Sequence, residues 1–561
     1  MIVRRLYGFA IGAAVVSLGL AACTSGADTA ASSTASSASG ATAASSSAGS
    51  TTASSSAGAT APAGARIASI PGLDQSAIDV MNKPVYANGQ WAIAVKDIDT
   101  GEQIIAYNND LLFEPGSVVK TYSTGAAWQE FGPDSTVVTP VKRTGEVVDG
   151  TLTGDLVLVG QGDLTMGGRT KPDGTVDFTN LDHNDANGIP GATLTTEDPL
   201  TGLNELAAQV KAAGINTVSG DVIVDNRLWA PHTLAEEPIT PIIINQNVID
   251  LTITPGAEGQ PATTAIWPVV APWTVDTQVQ TVAAGTKDTG FKVTSPADGK
   301  IVLTGTITAD SDPVLKVYAF KDPATFARTA FIEALGRAGV TVTADPVATN
   351  PDAALPAADT VDSLTSVAEL TSLPLDQETT YVNKISYNRG AETLICRLAV
   401  AAGSPKCEPG MARAGQIWAA AGLDTKGASL IDGSGLIGNF VTADNQVQLQ
   451  TIMAKRPDAA AWRATLPILG VDGSLTTVQA NSPAKGKVVG KTGTLLAVDA
   501  FNPGPRYRLP TKALGGYIDT ASGRHFAFAV MATNSVFADI EGVFAANDDV
   551  GAVVASIQES Y

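Results

Sequence analysis

In the segment Ser117-Val118-Val119-Lys120, a hydroxyl and an amine stand three residues apart. On a helix, residues at this spacing share one face about one turn apart. A serine needs a base to become a nucleophile, and a lysine serves when burial or a neighbouring cation favours its neutral form. By itself the pattern is more typical of an ordinary helix start. The same spacing recurs between Ser482 and Lys485, where Pro483 argues against helical geometry.

A second pair of polar side chains, Ser386 and Asn388, stands two residues apart on either side of Tyr387. We expect the Ser386 hydroxyl and the Asn388 amide to face one cleft from a tight loop. Such a tripeptide alone is more often part of a surface loop without chemistry. It becomes a candidate catalytic element only in combination with the other motifs.

The third motif is Lys491-Thr492-Gly493, followed by Thr494. We expect it to begin the first strand of a meander near the C-terminus. There, Gly493 lets a substrate backbone approach and pair along the strand edge, while Lys491 and Thr492 hold a carboxylate. Alone, this segment is more often a surface loop or an ordinary strand start, so the prediction rests on the three motifs together.

Two regions of apolar patterning must position these motifs. Residues 91–98 and 103–108 predict a β-hairpin, and Ser117 opens a helix that runs to about Phe131. Near the C-terminus, further apolar segments predict an antiparallel meander and a closing helix, at 494–501, 512–519, 524–532 and 537–558. Together they predict one five-stranded antiparallel sheet with helices on its faces.

Between these regions, the chain changes to short Val, Thr and Ile stretches separated by Gly, Asp and Pro. This texture predicts one or two mostly-β inserted domains within residues 138–365. Periodicity places strands and then two helices there, at 151–159, 219–224, 248–254 and 301–307, and at 203–214 and 325–339. The predicted fold class is therefore α/β (α+β), with the insertion carried by the sheet domain.

The N-terminus has the features of an export signal, because two arginines precede an apolar run that ends in small residues. The run ends at Leu20-Ala21-Ala22-Cys23, which resembles the lipobox of bacterial lipoproteins. We expect residues 1–22 to be a lipoprotein signal peptide and Cys23 to carry the lipid, with an ordinary signal peptide as the alternative. Residues 23–66 consist almost entirely of Ala, Ser, Thr, Gly and Pro, which predicts a flexible tether.

Composition excludes several classes of protein. The chain has 55 acidic against 35 basic residues, a formal charge of −20, and no basic cluster, which argues against a nucleic-acid partner. Three cysteines are too few for a disulfide-dense scaffold or a cysteine-rich metal centre. Its three histidines lie far apart in the sequence, so we expect no metal and no other cofactor.

The three motifs, in the order SxxK, SxN and KTG, resemble those of the penicillin-binding and serine β-lactamase superfamily. Ser117 and Ser386 are 269 residues apart (386 − 117), a separation that resembles the low-molecular-mass class C penicillin-binding proteins. These form the D-alanyl-D-alanine carboxypeptidase/endopeptidase family. Further similar stretches cover most of the chain, at 154–165, 220–225, 245–256, 382–388, 432–436, 466–475 and 490–495. Tyr387 departs from the pattern, because members often carry Asp there.

The resemblance implies a role for each motif residue. Ser117 is the acylated nucleophile and Lys120 its base. Ser386 relays a proton to the leaving D-alanine with help from Lys491, and Asn388 orients the substrate amide and Lys120. The backbone N–H groups of Ser117 and Thr494 form the oxyanion hole, and the terminal carboxylate lies on the motif strand, at Lys491, Thr492, Gly493 and Thr494.

The resemblance also implies the domains, the partners and the location of the protein. A transpeptidase-like peptidase domain spans 67–137 plus 366–561, and the insertion spans 138–365. The partners are peptidoglycan stem peptides ending in D-Ala-D-Ala, β-lactam antibiotics, and the membrane through the lipid on Cys23. The enzyme then works on the outer face of the bacterial cytoplasmic membrane, facing the cell wall. Endopeptidase cleavage of cross-links is a second activity that the resemblance allows.

Two questions stay open at this stage. Export makes a disulfide between Cys396 and Cys407 plausible, and two unpaired thiols are the alternative. The function has two rivals as well: a β-lactamase or esterase of the same superfamily, which requires fast deacylation, and a non-catalytic wall-binding lipoprotein. The complete set of motifs favours the carboxypeptidase.

Overall fold

A computed structural model describes residues 66–286, 290–502 and 506–561 of the chain. The predicted signal peptide, Cys23 and nearly all of the tether lie outside the described residues. In these ranges the helices are α1 (Gln75–Met81), α2 (Lys120–Phe131), α3 (Thr201–Ala212), α4 (Pro323–Arg337), α5 (Ala358–Val361), α6 (Leu375–Lys384), α7 (Asn388–Ala401), α8 (Pro409–Ala420), α9 (Ala443–Ala454), α10 (Ala459–Ala464) and α11 (Ile540–Ser560). Within the described ranges, none of them is both long and apolar enough to cross a bilayer.

The strands of the same ranges form several separate sheets. In chain order they are β1 (Gln90–Asp97), β2 (Gln103–Tyr107), β3 (Val138–Arg143), β4 (Glu146–Val148), β5 (Thr151–Thr153), β6 (Leu156–Val159), β7 (Thr217–Val218), β8 (Val222–Asp225), β9 (His232–Leu234), β10 (Glu237–Ile239), β11 (Val248–Thr254), β12 (Thr263–Trp267), β13 (Thr274–Val282), β14 (Phe291–Ala297), β15 (Lys300–Thr308), β16 (Val314–Ala319), β17 (Thr341–Val342), β18 (Thr365–Thr371), β19 (Ala428–Ser429), β20 (Phe440–Val441), β21 (Val488–Val498), β22 (Tyr507–Asp519) and β23 (His525–Phe537).

A five-stranded sheet joins the two ends of the described chain, in the order β2-β1-β23-β22-β21. Every neighbouring pair in it is antiparallel. Because successive side chains of a strand alternate between faces, β1 supplies two different cores. Ile93 and Val95 pack with α1 and α11 on one face, and Ala92 and Ala94 pack with α2, α8 and α9 on the other. The predicted five-stranded sheet with flanking helices is confirmed.

The strand that carries the third motif begins earlier than the sequence indicates. We expected a strand over 494–501 that opens at the motif, but β21 starts at Val488 and ends at Val498, so Lys491 to Thr494 lie in its interior. Gly490 and Gly493 make the segment look like a loop in the sequence. In the folded strand, neighbouring backbone comes close to both glycines and leaves little space for a side chain. The Gly515 carbonyl oxygen, for example, lies 3.0 Å from the point where a Cβ of Gly490 would stand.

The segment between α2 and α6 contains most of the remaining strands. Its largest core joins α3 and α4 to strands of two four-stranded sheets, through residues such as Leu152, Leu206, Phe331 and Leu370. The helices predicted at 203–214 and 325–339 are present as α3 and α4. Strands β3 and β18 pair antiparallel, so the chain leaves and re-enters this segment on adjacent strands.

Cys396 and Cys407 are joined in a disulfide, with an S–S distance of 1.97 Å. Cys396 lies on α7 and Cys407 just before α8, and both are buried. The bridge therefore ties α7, the helix that begins at Asn388, to the helix that packs beside it.

Replacing both cysteines, as Cys396→Ser with Cys407→Ser, should lower the free energy of unfolding by about 2–3 kcal/mol, because the closed loop is short. Thermal unfolding with and without reductant measures the effect. Reductant should lower the midpoint of the unaltered protein and leave that of the double variant unchanged. Labelling of both cysteines by iodoacetamide in the native, unreduced protein would contradict the bridge.

Candidate active site

Ser117 lies in a single 3₁₀ turn, Gly116–Val119, that runs directly into α2. Lys120, the first residue of α2, donates a hydrogen bond of 2.9 Å from Nζ to Ser117 Oγ. Gly116 has φ +54°, and a Cβ there would stand 2.8 Å from the Thr494 nitrogen. Glycine is therefore needed at 116 for two reasons. A positive φ is unfavourable for residues with a side chain, and the close approach of β21 leaves no room for a Cβ.

The Lys120 side chain is fully buried and bonds two acceptors besides Ser117. Its Nζ donates to Asn388 Oδ1 at 2.6 Å and to the backbone carbonyl of Ser434 at 2.8 Å. The three acceptors come from three separate segments of the chain: the 3₁₀ turn, the first residue of α7, and the loop before β20. Their positions fix Nζ beside the Ser117 hydroxyl.

A second lysine and serine form a similar pair. Lys491, also fully buried, donates from Nζ to Ser386 Oγ at 2.9 Å and to the Thr492 carbonyl at 2.9 Å. Ser386 lies in the three-residue connection between α6 and α7 with φ +60°, a backbone conformation that is rare for serine. The expected tight loop is present, and its strained residue is one that the sequence analysis selected.

Tyr387 points away from these reactive groups. It is buried in a cluster with Tyr381, whose ring centroid lies 5.5 Å from that of Tyr387. Burial raises the pKa of Tyr387 to about 12, so the phenol stays neutral at ordinary pH. Tyr387, which stands where family members often carry Asp, thus contributes to the apolar packing that supports the loop.

The motif strand β21 presents two threonines with polar partners. Thr492 Oγ1 lies 2.7 Å from Ser474 Oγ, and Thr494 Oγ1 accepts a hydrogen bond of 2.6 Å from Lys512 on β22. Gly493 packs against the Pro115 carbonyl, where any side chain would clash. The structure therefore gives Gly493 a reason other than substrate approach: it lets the backbone before Ser117 rest on the motif strand.

The loop between β19 and β20 is shaped around one carboxylate. Asp432 Oδ1 accepts hydrogen bonds from the backbone nitrogens of Ser434, at 2.8 Å, and Gly435, at 2.7 Å, and Oδ2 accepts one of 2.7 Å from Asn439. From α7, Glu392 accepts a hydrogen bond of 2.8 Å from the Gly433 nitrogen. These contacts hold the Ser434 carbonyl where Lys120 donates to it.

One group of side chains in the described ranges has metal-ligand geometry, comprising His232, Cys396 and Cys407 within 4.8 Å of one another. The disulfide engages both sulfurs, and His232 Nε2 lies 2.8 Å from Glu392 Oε1. We therefore assign no metal to this group.

The structure brings the predicted site residues together as two lysine–serine pairs, Lys120 with Ser117 and Lys491 with Ser386. The loop that contains Ser386 leads directly to Asn388, a partner of Lys120, and so links the two pairs. Sequence reasoning missed three groups at the site: the Ser434 carbonyl, the Ser474 hydroxyl and the Lys512 ammonium. The first two lie in the stretches 432–436 and 466–475, where the sequence indicates only a resemblance to the family. The signal for Lys512 was a lysine at the start of the largely apolar run 512–519.

Comparison with known proteins identifies the family. The model of the D-Ala-D-Ala carboxypeptidase 3 (S13) family matches residues 74–548. The chain belongs to this family. A D-alanyl-D-alanine carboxypeptidase of an Actinomadura species is 29% identical over 482 residues, which are 80% of this chain and 81% of the relative. The predictions of a penicillin-binding protein family and of a serine carboxypeptidase are confirmed.

Further relatives agree with this assignment. Penicillin-sensitive carboxypeptidase A of Dictyostelium discoideum is 25% identical over 443 residues, covering 73% of this chain and 78% of its own. A solved structure of penicillin binding protein 4 (dacB) from Haemophilus influenzae is also similar. This structure, a complex with a β-lactam, matches 86% of the present chain and 99% of its own chain. Its TM-score is 0.63 at 19% identity. This similarity confirms the fold.

Asp432→Ala should slow acylation of the protein by penicillin by about tenfold to a hundredfold. Without Asp432 the Ser434 carbonyl shifts, and a shift of about an ångström moves the Lys120 amine away from its position beside Ser117. The rate constant of acylation, followed by the appearance of the covalent adduct, measures the effect. Ile437→Ala, in the same loop but 57% exposed, is the matched control and should leave the rate unchanged. Equal rates in Asp432→Ala and the unaltered protein would refute the positioning role of the loop.

Proposed function

We propose that Ser117 is the nucleophile of a D-Ala-D-Ala carboxypeptidase that works through an acyl-enzyme on peptidoglycan stem peptides and is acylated by β-lactams. One arrangement carries the proposal: two buried lysines each lie beside a serine, with Lys120 Nζ 2.9 Å from Ser117 Oγ and Lys491 Nζ 2.9 Å from Ser386 Oγ. A serine with an adjacent base, oriented by a third group, is the arrangement of an activated nucleophile.

In the acylation step, neutral Lys120 takes the hydroxyl proton as Ser117 Oγ attacks the carbonyl carbon of the penultimate D-alanine. The new ester C–O bond forms and the peptide C–N bond breaks. The proton that Lys120 has taken is relayed through Ser386, which Lys491 holds in place, to the leaving amine of the terminal D-alanine. Lys120 is then neutral again and takes a proton from the water that attacks the ester. As the ester C–O bond breaks, Lys120 returns this proton to Ser117 Oγ and the shortened peptide leaves as the acid.

Charge that develops on the attacked carbonyl oxygen needs donors. We assign this role to the backbone N–H groups of Ser117 and Thr494. The contact between Gly116 and Thr494 supports the assignment, because it places the two segments side by side. One donor of this type typically contributes about 3 kcal/mol to the transition state. The terminal carboxylate of the substrate is assigned to the hydroxyls of Thr492 and Thr494 and to Lys491.

We further propose that the protein is exported and anchored by lipid on Cys23, and that the tether of residues 23–66 lets it reach the cell wall from the outer face of the cytoplasmic membrane. Residues 67–137 plus 366–561 form the peptidase domain in this proposal, and 138–365 form the insertion. The lipobox-like segment that ends at Cys23 and the low-complexity tract after it support the anchor. Cleavage of cross-links is proposed as a second activity of the same site.

Ser117→Ala should abolish both D-alanine release and covalent labelling by penicillin, because no other group then replaces the attacking oxygen. Intact mass after incubation with penicillin measures the adduct on the body from residue 66. Ser482→Ala, in the second SxxK pattern, is the matched control and should label fully, since Ser482 lies in a turn where it bonds Glu559.

Retained labelling of Ser117→Ala would overturn the assignment. Rapid loss of the adduct from the unaltered protein, with turnover of the drug, would instead favour the β-lactamase alternative. An unlabelled protein with intact drug would favour the wall-binding alternative.

Cys23→Ser should release the full-length protein from the membrane fraction, because the serine hydroxyl offers no sulfur for lipid attachment. Partition of cell extracts into detergent measures the anchor. Substitution of Ser33, within the tether, is the control and should leave the protein in the detergent phase. Equal partition of Cys23→Ser and the unaltered protein would contradict the lipid anchor.

A further inference from the structure

Lys512 is a buried lysine directly behind the carboxylate-binding strand. It lies on β22 and pairs with Thr494 of β21 in the antiparallel register. Only 7% of the residue is exposed. Its Nζ donates a hydrogen bond of 2.6 Å to Thr494 Oγ1. The Lys512 amine is thus linked to the substrate cleft by its hydrogen bond to the Thr494 hydroxyl.

Within the described parts of the chain, no carboxylate forms an ion pair with Lys512. Charged residues elsewhere on β22 and on α11 have other partners: Arg508 bonds Asn534 Oδ1 at 3.2 Å, and Asp549 bonds Tyr86 at 2.9 Å and Lys83 at 2.5 Å. Burial lowers the pKa of Lys512 to about 7. A buried cation without a counter-ion is unfavourable, so an anion that arrives near Thr494 stabilises its ammonium form.

The hydrogen bond also orients the Thr494 hydroxyl. A threonine hydroxyl has one hydrogen to donate and lone pairs to accept with. When the Lys512 ammonium donates to its oxygen, the hydroxyl hydrogen must point to another acceptor. Thr494 is exposed at the strand, so its hydrogen is available to an acceptor in the cleft. Neutral Lys512 removes this constraint, because its amine then accepts from the hydroxyl as readily as it donates to it.

We propose that Lys512 is a positioning and specificity-determining residue that makes Thr494 a donor for the free C-terminal carboxylate of the peptide substrate. Lys512 acts through Thr494 and does not itself touch the reacting atoms. The proposal rests on the proposed function, because the carboxylate is assigned to the motif strand there. It gives a role to Lys512, a cation that takes no part in the acylation steps. Recognition of the C-terminal carboxylate of the substrate then involves two strands, β21 and β22.

The test compares two N-acylated peptides, one ending in D-Ala-D-Ala with a free carboxylate and the other ending in the corresponding C-terminal amide. Lys512→Met keeps the unbranched shape and most of the length of the side chain and removes its charge. We expect kcat/KM for the acid to fall by about tenfold or more, as for loss of a charge-assisted hydrogen bond. The value for the amide should change little, so that the acid-to-amide ratio falls.

Two further variants separate positioning from structure. Lys512→Arg keeps the cation and should retain most of the ratio. Thr494→Val keeps the shape and removes the hydroxyl, and it should lose the ratio to the same extent as Lys512→Met. Combining Thr494→Val with Lys512→Met should add little to either, because both act on one interaction. If Lys512→Met does not fold, Thr494→Val and Lys512→Arg alone decide the test.

Penicillin labelling in the same preparations separates the two proposals. Labelled protein with an unchanged acid-to-amide ratio in Lys512→Met, or with an equal fall on both substrates, overturns the role of Lys512 alone. An unaltered protein that is neither labelled at Ser117 nor active on the acid peptide overturns the proposed function, and the role of Lys512 with it. An unchanged ratio in Thr494→Val also overturns the role of Lys512.

Discussion

The burial of the Lys120 amine is the constraint on which the rest of the site depends. A charged amine removed from water is costly by several kcal/mol unless hydrogen-bonding partners surround it. Here Ser117 Oγ, Asn388 Oδ1 and the Ser434 carbonyl supply acceptors at 2.6 to 2.9 Å. The acceptors are far apart in the sequence, so the amine is satisfied only when the fold is complete.

The architecture meets this requirement with rigid elements. Alternating faces of β1 pack against two different helical layers, which fixes the sheet between them. Gly116 and Gly493 let the nucleophile turn rest against β21, so that the Thr494 backbone lies beside Ser117. On the other side, Ser123 of α2 donates a hydrogen bond of 2.7 Å to the Gly433 carbonyl, which holds the loop that carries the third acceptor. The segments that carry Ser117 and Ser434, two of the three partners of Lys120, are thus each anchored by a contact to another element.

The sequence predicts the identities of the reactive residues better than their supports. Ser117, Lys120, Ser386, Asn388 and Lys491 stand in short motifs whose residue types the chemistry requires. The strand boundary was wrong at Val488, because glycine weakens a strand pattern unless the close approach of neighbouring strands is known. Ser434 was missed because it acts through its backbone carbonyl, for which the side chain gives no signal. Lys512 was missed because only the register of β21 and β22 places it opposite Thr494.

A crystal structure of the protein after reaction with penicillin tests the central claim most directly, because it locates the acyl group and the lysine together. We expect continuous density from Ser117 Oγ to the opened β-lactam carbonyl. We also expect the carbonyl oxygen to accept hydrogen bonds from the N–H groups of Ser117 and Thr494, and Lys120 to remain bonded to Asn388. An acyl group on any other residue, or Lys120 turned away from the ester, would contradict the central claim.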